Sequence, residues 1–197
     1  MPALNRAERK QRTRRRLLDA ARSLFLEHGF NGCSIETICA TAGFTTGAAY
    51  ANFGSKTKLA MQVLDELYLE EAEKVGQKLA TSTDHSLEAW AALLDTWTQH
   101  TIGEPRWARF ERELTGATAA DDELIQAAAH RYAALRSQIA LLAQTRAGHD
   151  DANWDELGVL ILGLILGVAL QRVADPNLAI ASIPHALKIL TAQPPPP

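Results

Sequence analysis

Cysteine is nearly absent from this 197-residue chain, and so are the partners that would let it bind metal. Cys33 and Cys39 have no His cluster near them, which leaves a zinc site without ligands. Their spacing, at and within one helix, disfavours an unstrained disulfide, so buried thiols are expected and an oxidising compartment is not indicated. Aromatic residues are few, and alternating apolar runs of the kind that build strands are missing. Long apolar runs are scarce as well. The longest, Leu157 to Leu170, has fourteen residues, where a bilayer span needs about 20; it reads as a helix buried on nearly all sides. The basic start is interrupted by Glu8 and Asp19 and no apolar core follows it, so no export signal is read there. The expected location is the cytoplasm, without a membrane partner.

The marks of catalysis are absent too. Polar clusters occur at His149, Asp150 and Asp151 and at Glu111, Arg112 and Glu113, but neither has a glycine-rich phosphate loop or metal-ligand spacing beside it. No cofactor and no metal are expected, and no enzyme activity. The competing reading is a small all-α enzyme acting on a pocket-bound molecule. A protein that coats chromosomes without preference is a third, disfavoured because that role needs no ligand-sized body.

What is present is an uneven distribution of charge. Residues 1–58 carry ten Lys/Arg against four Asp/Glu, a net +6, while the remainder is net −9. A basic head draws phosphate by displacing condensed counterions, and an acidic body stays off the duplex. Within the head, Ser34 to Leu59 reads as two short helices around a turn at Ala42-Gly43-Phe44, followed by a third helix that Ser55 can cap. Ser34 and Thr45 are the expected caps of the two short helices. The second of them is the candidate for the major groove.

Helical periodicity continues along the chain. Leu17, Ala21, Leu24 and His28 predict a first helix from Gln11 to His28, ended by Gly29 in a Schellman turn with Phe30 folding back on Phe25. Leu59, Val63, Leu67 and Tyr68 predict a helix from Lys56 to about Ala80. Further helices are expected around Leu87 to Trp97, from Arg106 to Leu114, from Asp122 to Gln144 and from Asn153 to Val173. A last one runs toward Leu190, kinked or restarted at Pro184. The fold expected is all-α with about nine helices. It comprises a three-helix helix-turn-helix DNA-binding domain (residues 1–55, basic arm 1–12), a larger helical domain (56–192), and a disordered proline tail (193–197).

The segment from Thr13 to Leu59 resembles the tetracycline-repressor (TetR) family of ligand-controlled transcription factors. The resemblance is carried by Arg-Leu-Leu-Asp-Ala-Ala-x-x-Leu-Phe-x-x-x-Gly-Phe (Arg16 to Phe30), by Ala42-Gly43-Phe44-Thr45-Thr46-Gly47, by Tyr50-Ala51-Asn52-Phe53 and by Ser55-Lys56-x-x-Leu59. Asn52 departs from the histidine or other aromatic common before the phenylalanine, and Gly54 from the usual proline or other small residue. Base preference therefore does not carry over from relatives.

The resemblance implies a repressor that binds a palindromic double-stranded operator as a homodimer and is released by a small-molecule effector of unidentified structure. Tyr50 and Lys56 are phosphate-contacting by the same resemblance. The expected DNA-binding set is Arg14, Ser34, Thr45, Thr46, Gly47, Ala48, Tyr50, Ala51, Asn52 and Lys56. Thr45, Thr46 and Asn52 offer short donors and acceptors, and Ala48 and Ala51 can meet a thymine methyl. The reading helix has no Lys or Arg, so bidentate guanine recognition must come from elsewhere or be absent. Phe53 and Ala49 are expected in the core. An effector pocket is expected to be lined by Trp90, Trp97, Trp107, Phe110, His130, Arg131 and Tyr132. The dimer interface is expected at Leu160, Ile161, Leu164, Ile165 and Val168, with Leu187 from the last helix, while Gly163 and Gly167 let a neighbouring backbone approach.

Overall fold

The computed structural model describes residues 5–84, 104–147 and 153–178, together with 86, 89, 92, 93 and 96. Among the described residues the secondary structure is helical throughout, in seven helices: α1 (Arg6–His28), α2 (Ile35–Ala42), α3 (Thr46–Phe53), α4 (Lys56–Thr81), α5 (Pro105–Thr118), α6 (Asp122–Ala147) and α7 (Trp154–Ala174). Of the expected helix around Leu87 to Trp97, Ala89, Ala92, Leu93 and Thr96 are described and all are helical; the last helix with its Pro184 and Leu187, and the proline tail, lie outside the described residues.

Local chemistry sets each start and stop. α1 begins at Arg6 rather than at Gln11, because Asn5 and Glu8 form a capping box. The Asn5 side chain accepts the Glu8 N–H at 2.9 Å, and the Glu8 carboxylate accepts the Asn5 N–H at 2.7 Å. Much of the expected basic arm is therefore helix. Its buried stripe is Leu17, Leu18, Ala20, Ala21 and Phe25, while His28, expected inward, is exposed. α1 ends at Gly29 through one bond, from the Gly29 N–H to the Phe25 carbonyl, with φ +79° and ψ 172°. That is not a Schellman turn, although Phe30 does fold back on Phe25, ring centroids 5.9 Å apart. The Schellman pattern belongs to α2. There Gly43 is left-handed, its N–H bonds the Ala40 carbonyl, and the Phe44 N–H bonds the Cys39 carbonyl at 2.9 Å.

The caps expected from sequence hold the other short elements. Ser34 accepts from Thr37, Thr45 from Ala48, and Ser55 from Lys58 at 3.0 Å. α5 starts at a proline, which has no N–H to leave unsatisfied, and the Glu104 carboxylate takes the next two N–H groups, of Arg106 and Trp107. Asn153 caps α7 through the Glu156 N–H.

The chain divides into two compact units. The first comprises Met1–Leu69 and Arg109–Ala129, the second Glu70–Ala108 and His130–Pro197, so α4, α5 and α6 each contribute to both. In the first unit Leu17, Phe25, Ile38, Leu59, Leu64, Phe110 and Leu114 are buried almost completely. Phe25 and Phe110 stack at 5.1 Å with their planes 9° apart. In the second unit α7 runs close to α6, where a Cβ on Gly158 would lie 2.6 Å from the Arg136 carbonyl oxygen. Only 28% of the most apolar window of α7 is buried, and at 21 residues the helix is long and apolar enough to cross a bilayer by length and composition. It is thus longer and far less covered than the fourteen-residue run suggested. Ile161, Leu162, Ile165 and Ala169 face inward, while Val159, Leu160, Leu164 and Leu170 are exposed.

Candidate nucleic-acid interface

The site is α3 and the side chains that hold it. Ala49 and Phe53, one turn apart, are buried, which turns Gly47, Tyr50 and Ala51 outward. Tyr50 is 51% exposed. Thr45 is exposed at the N-cap, and Thr46, Ala48 and Asn52 are half-buried on the flanks. A helix so short owes its position to tertiary bolts rather than to propensity.

Arg14 is the bolt at its C-terminal end. One guanidinium nitrogen donates to the Asn52 backbone carbonyl at 2.9 Å, another to Gln62, and the plane lies 4.6 Å from the centre of the Phe53 ring. Arg16 covers the other end, 5.1 Å from the Phe44 ring in the turn before α3. Arg15 pairs with Asp19 at 2.8 Å and Glu66 at 3.1 Å. Of the basic run seen in the sequence, Arg14 thus turns inward to hold α3.

Lys56 is likewise engaged. Its ammonium donates to the carbonyls of Phe30 at 3.0 Å and Cys33 at 2.9 Å, and lies 4.0 Å from the centre of the Phe30 ring. It ties the first residue of α4 to the link between α1 and α2. The side-chain amide of Asn52 donates back to the Ala48 carbonyl at 2.8 Å, and its Oδ1 is buried without a hydrogen-bond partner. Ser34 is exposed and occupied as a cap, and its hydroxyl helps hold the Glu36 carboxyl below the usual range, second to a backbone hydrogen bond. Both cysteines are buried and free, with their thiols pushed above the ordinary value chiefly by desolvation. The Cys33 thiol donates to the Leu24 carbonyl.

Sequence reasoning missed a clasp on this head. From α5, Arg109 donates to the Glu27 carbonyl at 2.7 Å, and Glu113 accepts the Asn31 N–H at 2.8 Å. A Cβ on Gly29 would come within 2.7 Å of the Glu113 carboxylate. Nearby, the buried Glu111 receives the Tyr68 hydroxyl, 2.8 Å from each of its oxygens. The only sequence signal was the polar cluster Glu111, Arg112, Glu113.

Residues 17–63 match the bacterial regulatory proteins of the tetR family. Over that segment the chain is similar to that family. Its similarity to the HTH-type transcriptional repressor NicS of Pseudomonas putida is 36% identity over 98 residues, 48% of this chain and 46% of NicS. With the HTH-type transcriptional regulator UidR of Escherichia coli K12 it is 39% over 54 residues, 27% and 28% of the two chains. The chain thus spans about half the length, or less, of these curated relatives. In fold, the chain is similar to a TetR-family transcriptional regulator from Pectobacterium atrosepticum, with a TM-score of 0.69 at 23% identity over 95% of this chain and 96% of that one.

The other predicted residues are dispersed. Trp90 and Trp97 lie outside the described residues. Trp107 is buried in the second unit, where His130 is exposed and Arg131 and Tyr132 are half-buried. Phe110 belongs to the core of the first unit, stacked on Phe25, and does not line a cavity in the second. The second unit has a groove of about 260 Å³ lined by residues that include Leu79, Asp84, Ala89, Leu93 and Thr96. Among the dimer residues, Ile161 and Ile165 are covered within the chain; Leu160 and Leu164 are exposed and Val168 is half-buried. Among the described residues no group of His, Cys, Asp or Glu has the arrangement of a metal site.

Proposed function

We propose that this chain is a ligand-responsive transcriptional regulator, a repressor that binds a palindromic operator as a homodimer and is released by a small molecule. The observation that carries the reading is the outward face of α3, Gly47, Tyr50 and Ala51, on a basic head whose other side is bolted down by Arg14, Ala49 and Phe53. Thr45 and Thr46 supply hydroxyls to base edges or phosphates, Ala48 and Ala51 meet thymine methyls, and Tyr50 reaches a phosphate. Ser34, at the N-terminus of α2, adds a second phosphate contact. Lys56 has three protons and two carbonyl partners, so one proton remains for a phosphate. Arg14 serves the site by positioning α3. Asn52 leaves an unsatisfied Oδ1 in the free head, and swinging onto an adenine edge gives both of its polar atoms partners.

The functional division follows from these roles: a DNA-binding head (1–55) and an effector-binding and dimerisation body (56–192). The row on α7 formed by exposed Leu160, Gly163 and Leu164 with half-buried Gly167 and Val168 pairs with its symmetry mate. Cβ atoms on Gly163 and Gly167 would meet nothing within 4 Å, which leaves that face open to a second backbone. Covering this face with a second copy also accounts for an apolar helix in a cytoplasmic protein that needs no membrane. The effector enters the second unit, whose groove is lined by residues that include Leu79, Ala89, Leu93 and Thr96, and to which Trp107, His130, Arg131 and Tyr132 also belong. It must favour the geometry in which the paired heads no longer fit the operator. No cofactor and no reaction are part of this reading.

Selection of binding sites from random duplex DNA by the purified full chain tests it. The expected yield is a palindrome with half-sites about 34–36 Å apart, and recovery of no shared sequence overturns the reading. The selected duplex then serves as the probe in a screen for molecules that release the protein.

A further inference from the structure

We infer that the first turns of α1 form a rigid basic rail, carrying Arg6 and Lys10, that lies against the sugar–phosphate backbone of duplex DNA outside the half-site read by α3. The inference rests on the regulator reading above and extends its contact surface to residues that reading does not use.

The rail is built into the helix. The capping box of Asn5 and Glu8 fixes the helical start at Arg6, and the helix continues unbroken to His28. Every residue from Asn5 to Arg12 is exposed. Between Arg6 and Arg12 the charges are Arg6, Arg9, Lys10 and Arg12 against Glu8 alone, and the Glu8 carboxylate is occupied by the cap. The surface is thus strongly net positive.

Its direction follows from helical spacing. Arg6, Lys10, Arg14 and Leu17 succeed one another at four- and three-residue steps, so they share one stripe. Leu17 is buried in the head, and Arg14 grips the C-terminal end of α3 at Asn52 and Phe53. Lys10 and Arg6 therefore continue the same stripe about 6 Å and about 12 Å beyond that end. When α3 enters the major groove, the stripe is carried toward the adjoining strand.

The helical state decides which part of the duplex it meets. A helix with its side chains is about 10–12 Å across, and the minor groove is only about 6 Å wide. A capped helix cannot thread that groove as an extended arm would, and the major groove of the half-site holds α3. Backbone phosphate is what remains, and charge complementarity favours it. The contacts also supply cations that α3, which has no Lys or Arg, does not.

The test uses the full chain and the selected operator, with and without several flanking base pairs on each side, titrated by fluorescence anisotropy from about 50 to 200 mM salt. The double variant Arg6→Gln/Lys10→Gln should flatten the slope of log K against log salt by about 0.9 per lost contact, roughly 1.8 per protomer, with the ranking of base substitutions unchanged. The pair Ala7→Gly/Gln11→Gly keeps every charge but loosens the helix. It should weaken binding to the flanked operator and leave the trimmed one unaffected, with an unchanged melting profile of the head as the folding control. An unchanged slope in the glutamine variant overturns the inference, as does wild-type binding of the flanked operator by the glycine variant, the behaviour of a flexible arm. In both cases the unaltered chain still prefers its operator and the regulator reading stands. Loss of that preference in the unaltered chain is the separate result that overturns both.

Discussion

The Lys56 ammonium is a structural strut to which the proposed function adds a phosphate contact. Two of its protons hold the Phe30 and Cys33 carbonyls, so Lys56→Ala removes a strut as well as a charge. The variant is expected to lose about 1–2 kcal/mol of unfolding free energy, since charge-assisted bonds at a half-exposed site fall at the low end of their range. Its salt slope should fall by about one. Thermal melts and salt titrations separate the two effects, and an unchanged slope would confine Lys56 to the strut. The cysteines offer a second check at this scale. Burial raises both thiols above 9.0, so the fold favours their protonated form. The stability this contributes is complete below the ordinary thiol value and is lost as pH climbs through the raised ones. Both thiols should resist a thiol-specific reagent in the native protein and react after denaturation. Rapid labelling of the native chain would contradict their burial.

Among the helices, α5 has the part least visible beforehand. Arg109 and Glu113 grip the end of α1 and the link after it, in a place where Gly29 has φ +79° and ψ 172°, a region practically reserved for glycine. Gly29→Ala combines that strain with a collision against the Glu113 carboxylate and should cost about 1–3 kcal/mol in denaturant unfolding. Wild-type stability in this variant would show the clasp to be incidental. The glycine was legible in the sequence as a helix stop, but its partner was not, because Glu113 is distant along the chain and periodicity encodes only near neighbours. The same distinction runs through the head. Caps at Ser34, Thr45 and Ser55 and the buried pair Ala49 and Phe53 could be read from local chemistry. The inward turn of Arg14 and the engagement of Lys56 depend on tertiary neighbours, and basic residues beside a reading helix look alike until those neighbours are placed. The early start of α1 was legible in principle from Asn5 and Glu8, whose spacing is that of a capping box. The apolar stripe that guided the expected start begins only at Leu17, which hid it.

For the molecule as a whole, the proposed operator recognition depends on pairing. Leu160 and Leu164 are 69% and 44% exposed on a helix whose inner face is already filled by Ile161 and Ile165. Leu160→Arg/Leu164→Arg should therefore leave the helical content intact and convert a dimer to a monomer in sedimentation, whereas a variant that still sediments as a dimer would place the interface elsewhere. Separated heads each read only a few base pairs and should lose operator preference together with pairing.

The stoichiometry of the DNA complex tests this most directly. Light scattering on the purified chain bound to its selected operator should give the mass of two protomers on one palindromic duplex, and a duplex carrying a single half-site should bind far more weakly. One protomer bound to the half-site as tightly as to the full palindrome would contradict the paired reading head.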